Sequence, residues 1–198
     1  VEDYVRGTKH TFGILHMITN LSEFYSQYPV PDKYQESMDD LINKNEKLYK
    51  QQNFSSDDCF KSLLILYKWI DAMTYQDMSE HFDAEPGDIF YIKENAKNLA
   101  YTFTEIVKFW RDYAKENDQK KIVSEYQNLI DELDLLRLQI IHGVPEKYLE
   151  LVKIKQIGRV RAQILYKNGY KNKTSLKKAP LEKLAAIDKI GTILAKSI

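Results

Sequence analysis

Basic side chains crowd around one glycine near the end of the chain, and their type and spacing could bind an anion. The segment KIKQIGRVRAQILYK, residues 153–167, contains Lys153, Lys155, Gly158, Arg159, Arg161 and Lys167. A glycine directly before a helix lets the backbone approach a ligand, and the free N–H groups of the first helical turn attract anions. Contacts of this kind hold phosphates without reading bases. The segment therefore predicts nucleic-acid binding that is independent of base sequence and that salt weakens.

A second copy of this pattern follows 33 residues later. IKQIG at residues 154–158 aligns with IDKIG at residues 187–191, and short predicted helices flank both turns. We interpret the repeat as two helix-hairpin-helix units, with Lys189 and Gly191 as candidate DNA contacts of the second. The usual turn of such a unit is apolar-x-Gly-apolar-Gly, and a glutamine and a lysine replace its first glycine here. Asp188 would repel phosphate, so a purely structural second unit stays open as an alternative.

The other reactive side chains form no catalytic or metal-binding set. One cysteine, Cys59, and four scattered histidines have no ligand spacing, and no Gly-x-x-x-x-Gly-Lys-[Ser/Thr] loop is present to hold a nucleotide. The chain is therefore predicted to perform no chemistry alone and to hold no metal or cofactor. No apolar run approaches the roughly 18 residues that span a membrane, so we expect an intracellular, cytoplasmic protein without a membrane partner. Because the first residue is Val1 rather than methionine, we expect a fragment of a longer chain.

Charge is distributed unevenly along the chain although its formal net charge is zero. Residues 143–198 contain thirteen Lys or Arg against four Asp or Glu, a net charge of +9, and residues 1–142 carry −9. A basic block beside an acidic one is typical of a polyanion-binding module joined to another domain. Docking of the basic block on the acidic part of the same chain is the alternative.

Hydrophobic spacing predicts helices and no strand. Apolar residues recur at helical spacing over residues 11–21, 32–50 and 60–70. Thr74 with Asp77 resembles a capping box, which opens a short helix. The fold class is therefore predicted to be all-α.

The longest predicted helix follows the sequence EPGD at residues 85–88. Its apolar residues step by three and four, and they are predicted to form one buried seam: Ile89, Ile92, Ala96, Leu99, Phe103, Ile106 and Trp110. Such a stripe predicts a long central helix whose apolar side faces the core of a bundle.

A further helix is predicted over residues 120–141. Gly143 is its expected C-cap, and Pro145 prevents the helix from continuing. We place a domain boundary there, between a helical bundle over residues 1–142 and a small helix-hairpin-helix domain over residues 143–198.

The order of these segments resembles one known family. TFGILHMIT, LLILYKWID, PGDIFYIKENAKNLAY and GVPEKYLELVKIKQIGRVRAQILY are similar to the C-terminal end of the archaeal Holliday-junction-migration (Hjm) helicases. These are superfamily 2 DNA helicases of the Ski type, related to the helicase part of DNA polymerase theta. The resemblance covers nearly the whole chain. It implies a helical ratchet domain followed by a helix-hairpin-helix domain, with ATP, Mg²⁺ and the motor domains upstream in the parent polypeptide.

The resemblance also implies particular DNA contacts on the long helix. In that family the helix acts as a ratchet on single-stranded DNA, typically through an Arg and a Trp seven residues apart. Those positions are Tyr91 and Asn98 here. Tyr91 can stack on a base and Asn98 cannot, so Phe90 and Lys97 are candidates to compensate.

The family's tail usually carries an Arg-x-Arg-Ala-Arg stretch that is proposed to bind single strand and restrain the motor. Here Arg159 and Arg161 match, and Gln163 replaces the third arginine. The resemblance implies a DNA-binding part of a monomeric, nucleoid-associated, ATP-dependent 3′ to 5′ DNA helicase in replication-fork repair, which binds single-stranded or forked DNA. Two alternatives stay open: an accessory region of an RNA helicase, and a protein-interaction module with a basic docking tail.

Overall fold

The computed structural model describes residues 11–21, 23–24, 36 and 60–198. All regular structure within these residues is helical, so the predicted all-α class is confirmed. The first part contains α1 (Thr11–Thr19), α2 (Phe60–Ile70), α3 (Tyr75–Phe82), α4 (Pro86–Glu116) and α5 (Lys120–His142). The helix predicted over residues 32–50 lies, except for residue 36, outside the described residues, as does Cys59.

Shorter helices form the tail. They are a 3-10 helix (Glu146–Tyr148), α6 (Leu149–Val152), α7 (Arg159–Lys167), α8 (Lys173–Lys177), α9 (Leu181–Ala185) and α10 (Gly191–Ser197). Helix α8 was not predicted, because five residues are too few to show helical periodicity. Its signal is local: the Asn172 side-chain oxygen accepts a hydrogen bond from the Ser175 N–H at 2.8 Å. Helix α10 begins at Gly191, the glycine of the second turn.

Local hydrogen bonds determine where the helices of the first part begin and end. The Thr74 hydroxyl accepts a bond from the Asp77 N–H at 3.1 Å, which confirms the predicted N-cap of α3. At the start of α4, the Glu85 N–H donates to the Asp88 carboxylate at 3.0 Å. Gly143 ends α5 in the left-handed conformation, with φ 61°, and its N–H donates to a carbonyl of the last turn at 2.8 Å. Each bond satisfies a backbone group that the helix end would otherwise leave free.

One hydrophobic cluster holds α1, α2, α4 and α5 together. Helices α4 and α5 are joined by a short connection and pack against each other more extensively than any other pair in the described part. Leu15 and Ile18 of α1, with Leu63 and Leu66 of α2, are fully buried in the same cluster. Burial of each such side chain stabilises the fold by about 1.5–3 kcal/mol. The cluster therefore holds α4 rigidly, with one face toward solvent.

The seam of α4 differs from the prediction in its C-terminal half. Ile89, Ile92 and Ala96 are buried as predicted, but Ile106 and Trp110 are exposed. The buried residues beyond Ala96 are small: Ala100, Thr104 and Ala114. Small side chains at a helix contact let the two axes approach closely, and this favours α5 packing against the small stripe rather than the bulky one. The predicted continuous bulky seam is therefore wrong for this half of the helix.

A second hydrophobic cluster fills the tail. All but one of its buried members lie within residues 144–195. The exception is Ala72, from the loop between α2 and α3, which is buried in the tail's cluster. The tail's cluster thus includes a residue from the first part, and Leu135 and Leu138 of α5 pack against it. The domain boundary at residue 143 stays a prediction.

The buried imidazole of His16 makes stability depend on pH. Burial lowers its pKa from 6.5 to about 4, and the Asn20 amide nitrogen lies 3.0 Å from its Nε2. Between pH 6.5 and about 4 the unfolded chain therefore takes up a proton that the folded chain does not. The stability contributed by neutral His16 is complete above the unfolded pKa and is lost as the pH falls to the folded one. We expect a loss of about 3 kcal/mol, at about 1.4 kcal/mol per pKa unit.

Urea unfolding at about pH 7 and about pH 4.5 measures this loss as a change in the free energy of unfolding. His16→Leu replaces the imidazole with an apolar side chain and should flatten the pH dependence. His81→Gln, at an exposed histidine, is the control and should leave it unchanged. An equally steep pH dependence in His16→Leu would contradict the prediction.

Candidate nucleic-acid interface

The solvent face of α4 carries the residues expected to contact single-stranded DNA. Tyr91 is 65% exposed, and Asn98 is also exposed. Seven residues are nearly two helical turns, so both side chains lie on one face, about 10 Å apart along the axis. Phe90 is exposed beside Tyr91, with the two ring centroids 6.0 Å apart. Lys97 is partly buried and forms an ion pair with Glu94.

A row of exposed aromatic rings lies near the C-terminal end of α4, about 27 Å along the axis from Tyr91. Phe109 is 66% exposed and follows Tyr91 by 18 residues, which is five turns, so the two share a face. The Trp110 ring contacts the Phe109 ring edge to face, with centroids 5.8 Å apart. The Tyr113 ring contacts the Trp110 ring in the same way, with centroids 6.1 Å apart. Sequence reasoning missed this row because it assigned Trp110 to the core. The spacing of Tyr91 and Phe109 was the available signal, and such rings are surfaces on which bases stack.

The two turns that align in sequence share a backbone feature at their third residue, although their glycines differ, with φ −85° at Gly158 and 65° at Gly191. Gln156 and Lys189 stand where the usual turn has its first glycine, and both have positive φ, 68° and 60°. In each turn an isoleucine N–H donates to the carbonyl of the isoleucine three residues earlier, at 3.0 Å in the first turn and 3.1 Å in the second. Glycine adopts this left-handed conformation most readily. Gln156 and Lys189 therefore adopt the conformation that the absent glycine would favour.

Gly158 and the exposed lysines lie where a phosphate can reach them. Gly158 is the N-cap of α7, and a Cβ added to it would meet nothing within 4 Å. The N–H groups of the first turn of α7 are therefore open to approach. Lys155, Lys167 and Lys189 are exposed, as is Gly191. Their contact with DNA stays a prediction.

Arg159 faces the helical bundle. Its guanidinium lies 4.0 Å from the centroid of the Trp69 ring and 5.8 Å from that of Tyr75. Its Nη2 donates to the Met73 carbonyl, while its Nη1 is buried without a hydrogen-bond partner in the described structure. Burial lowers the pKa of Arg159 below its ordinary value. Arg159 thus holds the tail on the bundle through an aromatic ring and a carbonyl, and its predicted contact with phosphate stays a prediction.

Trp69 is the centre of the contact between bundle and tail. Its side chain is 4% exposed, and its indole N–H donates to the Ile140 carbonyl at 2.7 Å. Nearby, the Gln163 amide donates to the Ala72 carbonyl at 3.1 Å. Sequence reasoning did not single out Trp69, because its partner Ile140 lies 71 residues later and no local pattern connects them. These contacts show that the basic tail docks on the rest of the chain.

Arg161 connects the two turns of the tail. Its Nε donates to the Lys189 carbonyl and its Nη1 donates to the Gln156 carbonyl, each at 2.8 Å. Both acceptors belong to the residues with positive φ. Part of the Arg161 guanidinium is therefore engaged within the protein, and its predicted contact with phosphate also stays a prediction.

The described part of the chain contains no group of three or more His, Cys, Asp or Glu side chains that could hold a metal ion. Within the same ranges, no helix has the length and apolar character needed to cross a membrane. His81 lies on the surface, where its Nδ1 is 2.8 Å from the Asp77 carbonyl. The groups available to a ligand are therefore the aromatic rings of α4, and the lysines and first-turn N–H groups of the tail.

Comparison with known proteins identifies similar sequences. A family model described as archaeal helicase, domain 4, matches residues 12–124. The chain is 30% identical over 193 residues to the ATP-dependent DNA helicase Hel308 of Pyrococcus abyssi, covering 94% of this chain and 25% of that protein. It is also 30% identical over 194 residues to Hel308 of Pyrococcus horikoshii, with the same coverage, and 27% identical to Hel308 of Thermococcus kodakarensis. The chain thus spans about a quarter of the length of the Pyrococcus relatives.

Proposed function

The chain belongs to the family of archaeal Hel308-type DNA helicases, and from this premise we propose that it is the strand-holding part of an ATP-dependent DNA helicase. The family match and the Pyrococcus relatives confirm the resemblance that the sequence indicates. In the proposal, motor domains elsewhere in the parent polypeptide use ATP and Mg²⁺ to move 3′ to 5′ along one DNA strand. This chain holds that strand between steps, at forks that require repair.

The observation that carries the proposal is the exposed aromatic face of α4. Tyr91 stands on a helix that the bundle core holds rigidly, so its ring is presented without an ordering cost to the helix. Stacking of one base on an aromatic ring contributes about 1–3 kcal/mol and tolerates any base. A grip of this strength holds a strand against thermal motion and still releases it at each motor step. Asn98 adds a hydrogen-bonding group on the same face, about 10 Å farther along the helix axis.

The exposed lysines of the tail supply the second element of the proposal. Lys155 belongs to the Gly158 turn, whose N–H groups complement phosphate, and Lys167 lies at the other end of α7. Lys189 belongs to the second turn. Coulomb attraction of this kind is independent of base sequence, and it falls as salt rises because bound counterions are released. In the proposal the tail thus holds the backbone while α4 contacts bases.

Tyr91→Ala is expected to weaken binding of labelled single-stranded DNA by about tenfold or more, because one base-stacking surface is lost. Fluorescence anisotropy across a salt series measures both the affinity and its salt dependence. Since the lost contact is uncharged, the slope of log affinity against log salt should stay the same.

Tyr91→Phe keeps the ring and should bind like the unchanged protein. Tyr101→Ala removes a comparably exposed tyrosine of α4 whose ring lies 5.3 Å from the Arg137 guanidinium, and it should change the affinity by less than about twofold. Equal affinities for Tyr91→Ala and Tyr91→Phe would overturn the assignment of α4. Matched RNA and DNA oligonucleotides distinguish a DNA-handling part from an RNA-handling one.

A further inference from the structure

The two turns of the tail form a matched pair. They repeat at 33 residues, and their third residue has positive φ in both, Gln156 in the first and Lys189 in the second. Gly191 also has positive φ, which Gly158 of the first turn does not. In both, the carbonyl of that residue accepts a hydrogen bond from a single side chain, that of Arg161. The two turns therefore lie within the span of one guanidinium group.

The contact requires the geometry of arginine. Nε and Nη1 are two separate donors of a rigid planar group, and each bonds one carbonyl at 2.8 Å. A lysine has one nitrogen on a flexible stem, so it keeps the charge without fixing two acceptors at a set distance. The position equivalent to Arg161 in the second unit is Leu194, which is buried. The side chain that connects the turns thus comes from the first unit, because Leu194 cannot make the equivalent hydrogen bonds.

The acceptors of Arg161 are neutral carbonyls in exposed turns. Lys155 and Lys189 extend from these turns into solvent, and Asp188 is exposed beside Lys189. When the turns are fixed together, the positive charge of the first turn adds to that of the second and offsets Asp188. When they are free, the second turn carries its acidic residue without that compensation.

We propose that Arg161 is a positioning residue that joins the two hairpin turns, so that Lys155 and Lys189 act on one strand as a single surface. The effect on DNA rests on the function proposed above, whereas the joining of the turns rests on the two hydrogen bonds alone. Arg161 acts through the turns rather than as a phosphate ligand.

Arg161→Lys in the full chain tests the proposal, because it keeps the charge but replaces two donor nitrogens at a fixed separation with one nitrogen on a flexible stem. We expect its affinity for single-stranded DNA to fall by about tenfold, the factor that corresponds to one charge-assisted hydrogen bond, because the strand must then bring the turns together. Arg161→Gln should lose a similar amount. Arg137→Lys, outside the tail, is the matched control and should bind like the unchanged protein.

A direct phosphate contact by Arg161 gives a different pattern. Arg161→Lys would then retain most of its affinity. Arg161→Gln would lose affinity, and its slope of log affinity against log salt would decrease in magnitude by about one. That outcome overturns the proposal. Equal and measurable binding by all variants overturns it as well.

Amide chemical shifts provide a readout that does not depend on DNA. In Arg161→Lys the N–H signals of Ile190 and Gly191 should move, although these residues lie about thirty positions away along the chain. The signal of Tyr91 in α4 should stay in place. Unmoved signals at Ile190 and Gly191 would overturn the joining of the turns. Moved signals in a protein that binds no single-stranded DNA would support the joining and overturn only the proposed strand-holding function.

Discussion

Trp69→Ala is expected to lower the free energy of unfolding by about 3–5 kcal/mol, the range for removal of a large buried aromatic side chain. The substitution removes a ring that is 4% exposed, its hydrogen bond to the Ile140 carbonyl, and the surface on which the Arg159 guanidinium rests. The Arg159 charge then lies near the core without the nearer of its two aromatic partners. The loss should therefore affect both the bundle and the docked tail.

Urea unfolding measures this change, and the chain provides a control in its other tryptophan. Trp110 is 48% exposed and lies outside the core, so Trp110→Ala should cost less than about 1 kcal/mol. Similar losses for the two substitutions would contradict the buried position of Trp69. Retained tail docking after Trp69→Ala, detected by unchanged amide signals around Arg159, would show that the ring does not hold the tail.

Gly143→Ala is expected to destabilise the protein by about 3 kcal/mol, as the sum of two costs. The residue has φ 61°, and a left-handed backbone costs a residue with a Cβ roughly 1–2 kcal/mol. The added Cβ would also lie 2.5 and 2.6 Å from two carbon atoms of the Trp69 ring, and overpacking of this kind costs roughly 1–3 kcal/mol. The ring is fixed by its neighbours, so it cannot move aside cheaply.

Gly87→Ala is the matched control, because it adds the same methyl group near the start of α4, where nothing lies within 4 Å. It should leave stability unchanged or raise it by about 0.5 kcal/mol. In a double variant with Trp69→Ala, the steric part of the Gly143→Ala cost should disappear. The double variant should therefore lose less free energy of unfolding than the sum of the two single losses. Strict additivity would contradict a clash between this position and the ring.

Local patterns in the sequence predicted the longer described helices and several of their ends. The N-cap at Thr74 and the Gly143 C-cap each depend on residues within one helical turn, whereas the long helix begins at Pro86, inside the EPGD sequence that was predicted to precede it. Such signals are complete in the sequence because both partners of each hydrogen bond are neighbours. The repeated turn was also recognisable, although the glycine that usually marks it is absent.

The buried face of α4 could not be read from bulky residues alone. Two stripes along the helix satisfy the same spacing of three and four, one through Ile106 and Trp110 and one through Ala100 and Thr104. Hydrophobicity favours the first stripe, but the close packing of α5 selects the second because its side chains are small. Which stripe is buried therefore depends on the partner helix α5, so the sequence of α4 alone does not determine it.

The roles of Arg159 and Arg161 in the fold were also beyond local reasoning. Arg159 contacts Trp69 and the Met73 carbonyl, 86 residues away in the latter case, and Arg161 contacts the Lys189 carbonyl 28 residues later. A cluster of cations predicts attraction for anions, because charge is visible in sequence. Aromatic rings and backbone carbonyls compete for the same guanidinium groups, and only the tertiary structure brings them near.

The burial of Ala72 in the core of the tail limits how far this region can be treated as modular. Ala72 lies on the loop between α2 and α3, yet its side chain belongs to the tail's hydrophobic cluster, and its carbonyl accepts the Gln163 amide. A transplant of residues 143–198 into another protein would leave a methyl-sized hole and an unsatisfied amide behind. The two units therefore have to be inherited and engineered together, even though each has a core of its own.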